Sequence, residues 1–143
     1  MQPGRPSRRL PGMRRLPVFV LLLATLTACG QPAEKACPAI ALEEGISLDV
    51  PPEVAAGLGR VSLELCWAGD CVTGSAPGGE HVFIPIRGLP ATPIKTTVTL
   101  GDRKPHALVV TPAIVYPAGK ACGGGVPVAK LVVTPGGAIR QEP

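Results

Sequence analysis

Five cysteines and two histidines carry the most distinctive chemistry of this chain. A cysteine thiolate is a nucleophile and a metal ligand, and two thiols oxidise to a disulfide. Zinc would require cysteines together with His81 and His106, but the C-x4-C spacing of Cys66 and Cys71 has no paired second knuckle. A redox motif would read C-x-x-C, a spacing that these cysteines lack. The sequence predicts no metal site and no cofactor, and it favours structural disulfides over zinc or free thiols.

Cys29 stands in different surroundings from the other four cysteines. A cluster of arginines precedes an apolar run at residues 16–26, which is shorter than the roughly 20 residues of a membrane-spanning helix. Leu26-Thr27-Ala28-Cys29 closes the run and resembles the lipobox of bacterial lipoproteins. The resemblance implies that the Cys29 thiol receives a diacylglyceryl group and that cleavage makes Cys29 the N-terminus.

This interpretation divides the chain and places it in the cell. Residues 1–28 are expected to be a lipoprotein signal peptide, residues 29–36 a lipidated tether, and residues 37–143 a β-sandwich domain. The membrane is then a partner through the acyl chains on Cys29, at the extracytoplasmic face of the cell membrane.

Three alternatives concern the N-terminal region. The first is an ordinary cleaved secretory signal in which Cys29 is incidental. A twin-arginine signal would begin at Arg8 and Arg9, although Pro11-Gly12 follows where apolar residues should continue. Translation from Met13 would leave a compact basic segment directly before the apolar run.

The net charge of +4 changes when the signal is removed. Of 14 lysines and arginines, five precede Cys29, which leaves nine against ten aspartates and glutamates. Nucleic-acid binding depends on clustered positive charge, so a nucleic-acid partner has no electrostatic basis here. The remaining chain also lacks a polybasic patch for anionic lipids, so membrane attachment would rest on acyl chains.

From Cys37 onward, short apolar segments alternate with turns. Val61, Leu63 and Leu65 alternate with polar residues up to Trp67, which indicates a half-buried strand with Trp67 as a core or rim anchor. The segments with strand character are 46–50, 61–67, 81–86, 94–100, 107–115, 126–133 and 138–140. Those at 107–115 and 126–133 are each interrupted by a proline, and residues 53–58 suggest barely one helical turn. About seven short strands predict an all-β fold, a small antiparallel β-sandwich of the immunoglobulin-like or transthyretin-like kind.

Four cysteines remain after Cys29, an even number in an oxidising compartment, and they allow three pairings. Ala68-Gly69 favours a two-residue hairpin turn in which Cys66 lies opposite Cys71. Directly opposed antiparallel residues have Cα atoms about 5 Å apart, within disulfide range. Cys37 would then pair with Cys122 and connect the start of the domain to a late loop.

Familiar catalytic motifs are incomplete. Thr73-Gly74-Ser75-Ala76-Pro77 fails the nucleophile-elbow pattern at its first position. Glu43 and Glu44 have no identifiable catalytic partner, and a solvated turn explains them better. The sequence therefore predicts no catalytic residue and a protein that is not an enzyme.

Two short motifs suggest a broader resemblance. The run from Cys66 to Cys71, followed by Pro117 to Gly123 and the segment 128–136, resembles uncharacterised small lipoproteins of high-GC Gram-positive bacteria. The resemblance implies a β-sandwich exported to the cell surface and carries no known activity. We expect a non-catalytic binding or envelope-associated module with a protein or envelope partner. The alternative is an accessory subunit of an ABC importer or a surface enzyme complex.

Overall fold

Alternation of apolar and polar side chains builds the strands of this protein. A computed structural model describes residues 35–143. In strand β2 (Arg60–Trp67), Val61, Leu63 and Leu65 are buried, whereas the residues between them are partly or fully exposed. In strand β5 (Ile94–Leu100), Ile94, Val98 and Leu100 are buried in the same way. A strand with this period presents one face to a core and the other to solvent.

The described part of the chain contains nine strands and two short helical segments. In chain order, the elements are β1 (Gly45–Asp49), α1 (Pro52–Ala55), β2 (Arg60–Trp67), β3 (Asp70–Pro77), β4 (His81–Pro85), β5 (Ile94–Leu100), β6 (His106–Val110), β7 (Ala113–Val115), a 3-10 helix (Lys120–Cys122), β8 (Val126–Val133) and β9 (Ile139–Gln141).

The strands form two sheets. The first has the order β4-β1-β8-β7, with β9 also paired to β8, and the second has the order β3-β2-β5-β6. Every pairing is antiparallel except that of β1 with β8, which is parallel. The predicted all-β sandwich is therefore confirmed, with one parallel pair that the sequence pattern did not indicate.

The inner faces of the two sheets share one hydrophobic core. Ile46 and Leu131 from the first sheet and Leu65 and Ile94 from the second are fully buried in it. Thr96 is the buried polar side chain of this core, and its hydroxyl donates to the carbonyl of Ile94 at 3.4 Å. Burial of these aliphatic side chains is the main favourable contribution to folding, because the chain has few aromatic residues.

The β2–β3 hairpin has the predicted register. Trp67 pairs with Asp70, and Cys66 pairs with Cys71. Ala68 has φ 50° and Gly69 has φ 88°, the positive values that a type I′ turn requires at both central residues. Trp67 is partly buried against the core, as the alternation predicts.

The prolines at 112 and 127 act differently from the prediction. Residues 107–115 are not one interrupted strand, because β6 and β7 belong to different sheets and the buried Pro112 lies between them. Gln141 bonds both backbone groups of Thr111 at this crossing, at 2.8 and 2.7 Å. Pro127, in contrast, lies within the continuous strand β8, just before Val128, where pairing with β1 begins. Its missing N–H therefore removes no hydrogen bond to β1.

Candidate functional site

The four cysteines of the domain form two disulfides. Cys37 is bonded to Cys122 with a Cα–Cα distance of 5.5 Å, and Cys66 to Cys71 with 4.1 Å. This is the pairing that the hairpin register predicts. Cys29, the predicted lipidation site, lies outside the described residues, as do the signal peptide and most of the tether.

One group of potential metal ligands occurs beside the short disulfide. The nearest ligand atoms of Glu64, Cys66 and Cys71 all lie within 4.8 Å of one another. Both sulfurs are bonded to each other, so neither is the thiolate that zinc requires. The 3.9 Å approach of Cys66 Sγ to Glu64 Oε1 is a contact without a hydrogen bond, because a disulfide sulfur carries no hydrogen. The group offers one carboxylate and no metal site.

The outer face of β3, β2 and β5 carries a regular array of hydroxyl groups. Ser62 pairs with Ser75 on one side and Thr99 on the other, and Glu64 lies between Thr73 and Thr97 in the next row. Neighbouring strands are about 4.8 Å apart, and same-face residues along a strand about 6.8 Å. The hydroxyl groups therefore form a grid, which we call the hydroxyl face.

An open depression of about 530 Å³ lies on the hydroxyl face. Ser62, Glu64, Thr73, Ser75, Thr97 and Thr99 line it, together with Leu63, Gly74 and Pro105. Glu64 is its one titratable side chain. Arg60 reaches the edge of the face and donates to Ser75 Oγ at 2.9 Å. The depression offers hydroxyl donors and acceptors around the single carboxylate of Glu64, and it does not assemble a nucleophile, base and orienting group.

Gly74 is needed where β3 approaches the other sheet. A Cβ atom at this position would lie 2.5 Å from Ile84 Cγ2 and 2.8 Å from Ile86 Cδ1. The missing side chain lets the inner side of β3 pack closely on these residues, while Thr73 and Ser75 point outward. Gly74 thus allows the strand that carries Thr73 and Ser75 to pack directly on the core.

A charged cluster lies on the outer face of the first sheet. Asp49 Oδ1 lies 2.9 Å from His81 Nδ1, and Asp49 Oδ2 lies 3.0 Å from Lys130 Nζ. Lys130 also contacts Glu142 at 2.6 Å. The hydrogen bonds from His81 and then Lys130 lower the pKa of Asp49, and those to Glu142 and Asp49 raise the pKa of Lys130.

Sequence reasoning missed this cluster. His81 was considered from sequence as a possible zinc ligand, and its side chain is 83% exposed. Its partner Asp49 is 32 residues away and comes opposite only through the antiparallel register of β1 and β4. Because the four side chains are between 36% and 83% exposed, the cluster is best explained as a surface ion-pair network.

The other residues considered from sequence are separated in the structure. His106 begins β6 and is exposed. Glu44 accepts a hydrogen bond from the Gly88 N–H at 2.6 Å and so holds the turn after β4, while Glu43 is exposed. No helix in residues 35–143 has the length and apolar character needed to span a membrane.

Comparison with known proteins adds no relative. No protein-family model matches the chain, and neither curated proteins nor solved structures match it. The resemblance to small lipoproteins of high-GC Gram-positive bacteria stays a prediction from the sequence. The function must therefore be argued from the residues of this chain.

Proposed function

We propose that the protein is a lipid-anchored, extracytoplasmic binding module without catalytic activity. Its binding surface is the hydroxyl face, and its partner is an uncharged, hydroxyl-bearing polymer of the cell envelope. The observation that carries the proposal is the open depression of about 530 Å³ lined by serine and threonine hydroxyls on a disulfide-bonded sheet.

The shape and chemistry of the hydroxyl face support a polymer ligand. The depression is open to solvent on the outer face of the sheet, so a chain can extend across it. Hydroxyl groups both donate and accept hydrogen bonds, which matches a ligand that does the same. The residues lie on paired strands, so binding requires little ordering of the protein.

The N-terminal sequence supports the membrane anchor. Leu26-Thr27-Ala28-Cys29 follows the apolar run, and seven residues separate Cys29 from Cys37. The chain therefore reaches at most about 28 Å from Cys29 to Cys37. The domain would thus be held near the membrane, where envelope polymers are available at high local concentration.

Lipid attachment is tested by Cys29→Ser in cells labelled with radioactive fatty acid. We expect loss of the label and release from the membrane fraction, because two acyl chains give stable anchoring and no basic patch replaces them. Cys66→Ser/Cys71→Ser is the matched control and should keep the label. A Cys29→Ser protein that remains wholly in the membrane fraction would contradict the anchor.

Binding is tested by sedimentation of the soluble chain 30–143 with insoluble cell-wall polysaccharide. Thr73→Lys places a long cation in the depression and should lower the bound fraction at least about tenfold, because it removes a hydroxyl that the bound polymer would cover. Thr92→Lys, an exposed residue outside the hydroxyl face, receives the same change and should bind like the wild type. Equal binding by both variants would remove the hydroxyl face from the proposal.

The alternative, an accessory subunit of a membrane complex, is favoured by one other feature. Strand β6 lies at the edge of its sheet, and Val109 on it is 62% exposed beside an apolar depression of about 360 Å³. An exposed edge is a surface to which a partner can add a strand. Cross-linking from Val109 to a membrane protein in cells would support this second function over polymer binding.

A further inference from the structure

The exposed large apolar side chains of the described chain are concentrated at one end of the first sheet. Strands β1 and β8 begin at this end, and β4 and β7 end there. The register shows this, because Gly45 lies opposite Pro85 of β4 and Val128 of β8, and Val128 lies opposite Ala113 of β7. We call this the bridged end, because the Cys37–Cys122 disulfide joins the segments that lead into β1 and β8. Five of the six exposed large hydrophobic residues belong to its strands or leading segments: Ile40, Leu42, Phe83, Ile114 and Val115.

Two glycines hold apolar side chains on this surface. A Cβ atom at Gly45 would lie 2.8 Å from Phe83 Cζ, so the Phe83 ring lies over the Gly45 backbone. A Cβ atom at Gly125 would lie 2.6 Å from Ile114 Cγ2 and 2.7 Å from Tyr116 Cε1. The glycines therefore keep these side chains in place at the bridged end although the core does not cover them.

The charged cluster lies toward the other end of the same strand. Asp49, the centre of the charged cluster, lies four residues after Gly45, which corresponds to about 13 Å. At the bridged end, the Glu44 carboxylate is occupied by the Gly88 N–H. Exposed charges of both signs, at Glu43 and Lys120, flank the apolar side chains of the bridged end.

We propose that the bridged end inserts its exposed apolar side chains into the lipid interface of the membrane. The proposal rests on the proposed function, since it requires the anchor at Cys29. Cys37 is eight residues after Cys29, a reach of about 28 Å at most. A folded domain of about 110 residues is about 33 Å wide. The tether is therefore shorter than the domain, and it keeps the bridged end near the bilayer.

Lipid is favoured over a second copy or another protein because the anchor makes the contact intramolecular. An effective concentration in the millimolar range allows a weak apolar contact to persist. Tyr116 has the apolar body and polar tip that suit the boundary between headgroups and acyl chains. The contact orients the domain, and it projects the charged cluster away from the bilayer.

The test uses the full, lipidated chain in phosphatidylcholine vesicles with brominated acyl chains, which quench tryptophan. In a Trp67→Phe background, Ile40→Trp reports on the bridged end, and Val109→Trp is the matched control on the other sheet. Both positions are more than half exposed, at 51% and 62%. We expect about twofold quenching and a blue shift for Ile40→Trp, as insertion of about 5–10 Å implies, and neither for Val109→Trp.

The outcomes separate the two proposals. A protein that does not float with the vesicles refutes the anchor itself. A protein that floats, but whose tryptophan at position 40 is not quenched, refutes the orientation alone. A concentration-dependent blue shift without quenching would assign the bridged end to contact between copies and overturn the lipid proposal.

A second measurement needs no substitution and decides the matter if the background variant does not fold. Amide hydrogen exchange of the unaltered lipidated chain is compared in vesicles and in detergent-free solution after enzymatic removal of the acyl chains. Slower exchange in vesicles at residues 38–42 and 114–116, with no change in β6, supports the proposal. Equal exchange at those residues refutes it.

Discussion

Removal of the Cys37–Cys122 bridge is expected to destabilise the domain more than removal of the Cys66–Cys71 bridge. The two bonds join residues separated by 85 and 5 positions. Loop closure in the unfolded chain then contributes about 4.6 kcal/mol for the long bridge and about 2.2 kcal/mol for the short one. The expected difference is about 2.4 kcal/mol before the folded state is considered.

The folded state reduces this difference. Without the long bridge, residues 37–44, most of which are exposed, gain freedom before β1 begins at Gly45. This added conformational entropy stabilises the folded variant, so the loss of the long bridge costs less than the loop-closure value of about 4.6 kcal/mol. The short bridge lies in a hairpin whose register is also held by the seven other residue pairs of β2 and β3. We therefore expect a difference of about 1 to 2.4 kcal/mol, or about 4 to 10 °C in melting temperature for a domain of this size.

The assay compares Cys37→Ala/Cys122→Ala with Cys66→Ala/Cys71→Ala in a soluble chain that begins at Gly30. Thermal and urea unfolding give the order of stability, and non-reducing digestion with mass spectrometry verifies the bridge that each variant retains. Equal melting temperatures, or a less stable Cys66→Ala/Cys71→Ala variant, would refute the loop-closure argument.

Two further predictions concern the turns and the charged cluster. A Cβ atom at Gly78 would overlap the Leu58 carbonyl, so Gly78→Ala should lower the free energy of unfolding by about 1–3 kcal/mol. Gly79→Ala is the control, because a Cβ atom there would meet nothing within 4 Å, and it should change that free energy by less than about 0.5 kcal/mol. Urea unfolding measures both variants. The pKa of Asp49 is lower in the folded protein than its ordinary value of 3.8. Ionised Asp49 therefore stabilises the fold when the pH is above 3.8, and this contribution is lost as the pH falls through the lowered pKa. Asp49→Asn should therefore destabilise slightly at neutral pH, by less than about 1 kcal/mol, and converge with the wild type in acid. Asp102→Asn is the control, and a constant difference at every pH would contradict the linkage.

Local sequence predicts much of this fold because local geometry determines it. The alternation in β2 and β5 specifies which residues face the core, and a shift by one residue would expose them all. Ala68-Gly69 specifies a two-residue turn, and the turn sets the register that brings Cys66 opposite Cys71. With that pair made, Cys37 and Cys122 are the remaining partners. These inferences require only neighbouring residues and a count of thiols.

Pairings between distant segments follow from the tertiary structure alone. The parallel contact of β1 with β8 joins strands separated by most of the domain, and alternation is the same for either direction of pairing. The chain changes sheets at Pro112 because of how the two sheets pack. The apolar pattern of residues 107–115 with one proline is equally consistent with a single interrupted strand. The lengths and residue types of these segments do not specify the direction of the β1–β8 pairing or the change of sheet at Pro112.

The surface features divide in the same way into those that follow from adjacent residues and those that follow from the tertiary structure. The sequence by itself predicts the anchor at Cys29, and it determined the alternating strands and the short disulfide, because each depends on adjacent residues. Only the tertiary structure decided that Asp49 meets His81 and Lys130, that serines and threonines from three strands form one hydroxyl face, and that the exposed apolar side chains gather at the bridged end. Each of these joins residues far apart in the chain, and their proximity depends on strand register and sheet order, which arise when the whole core packs.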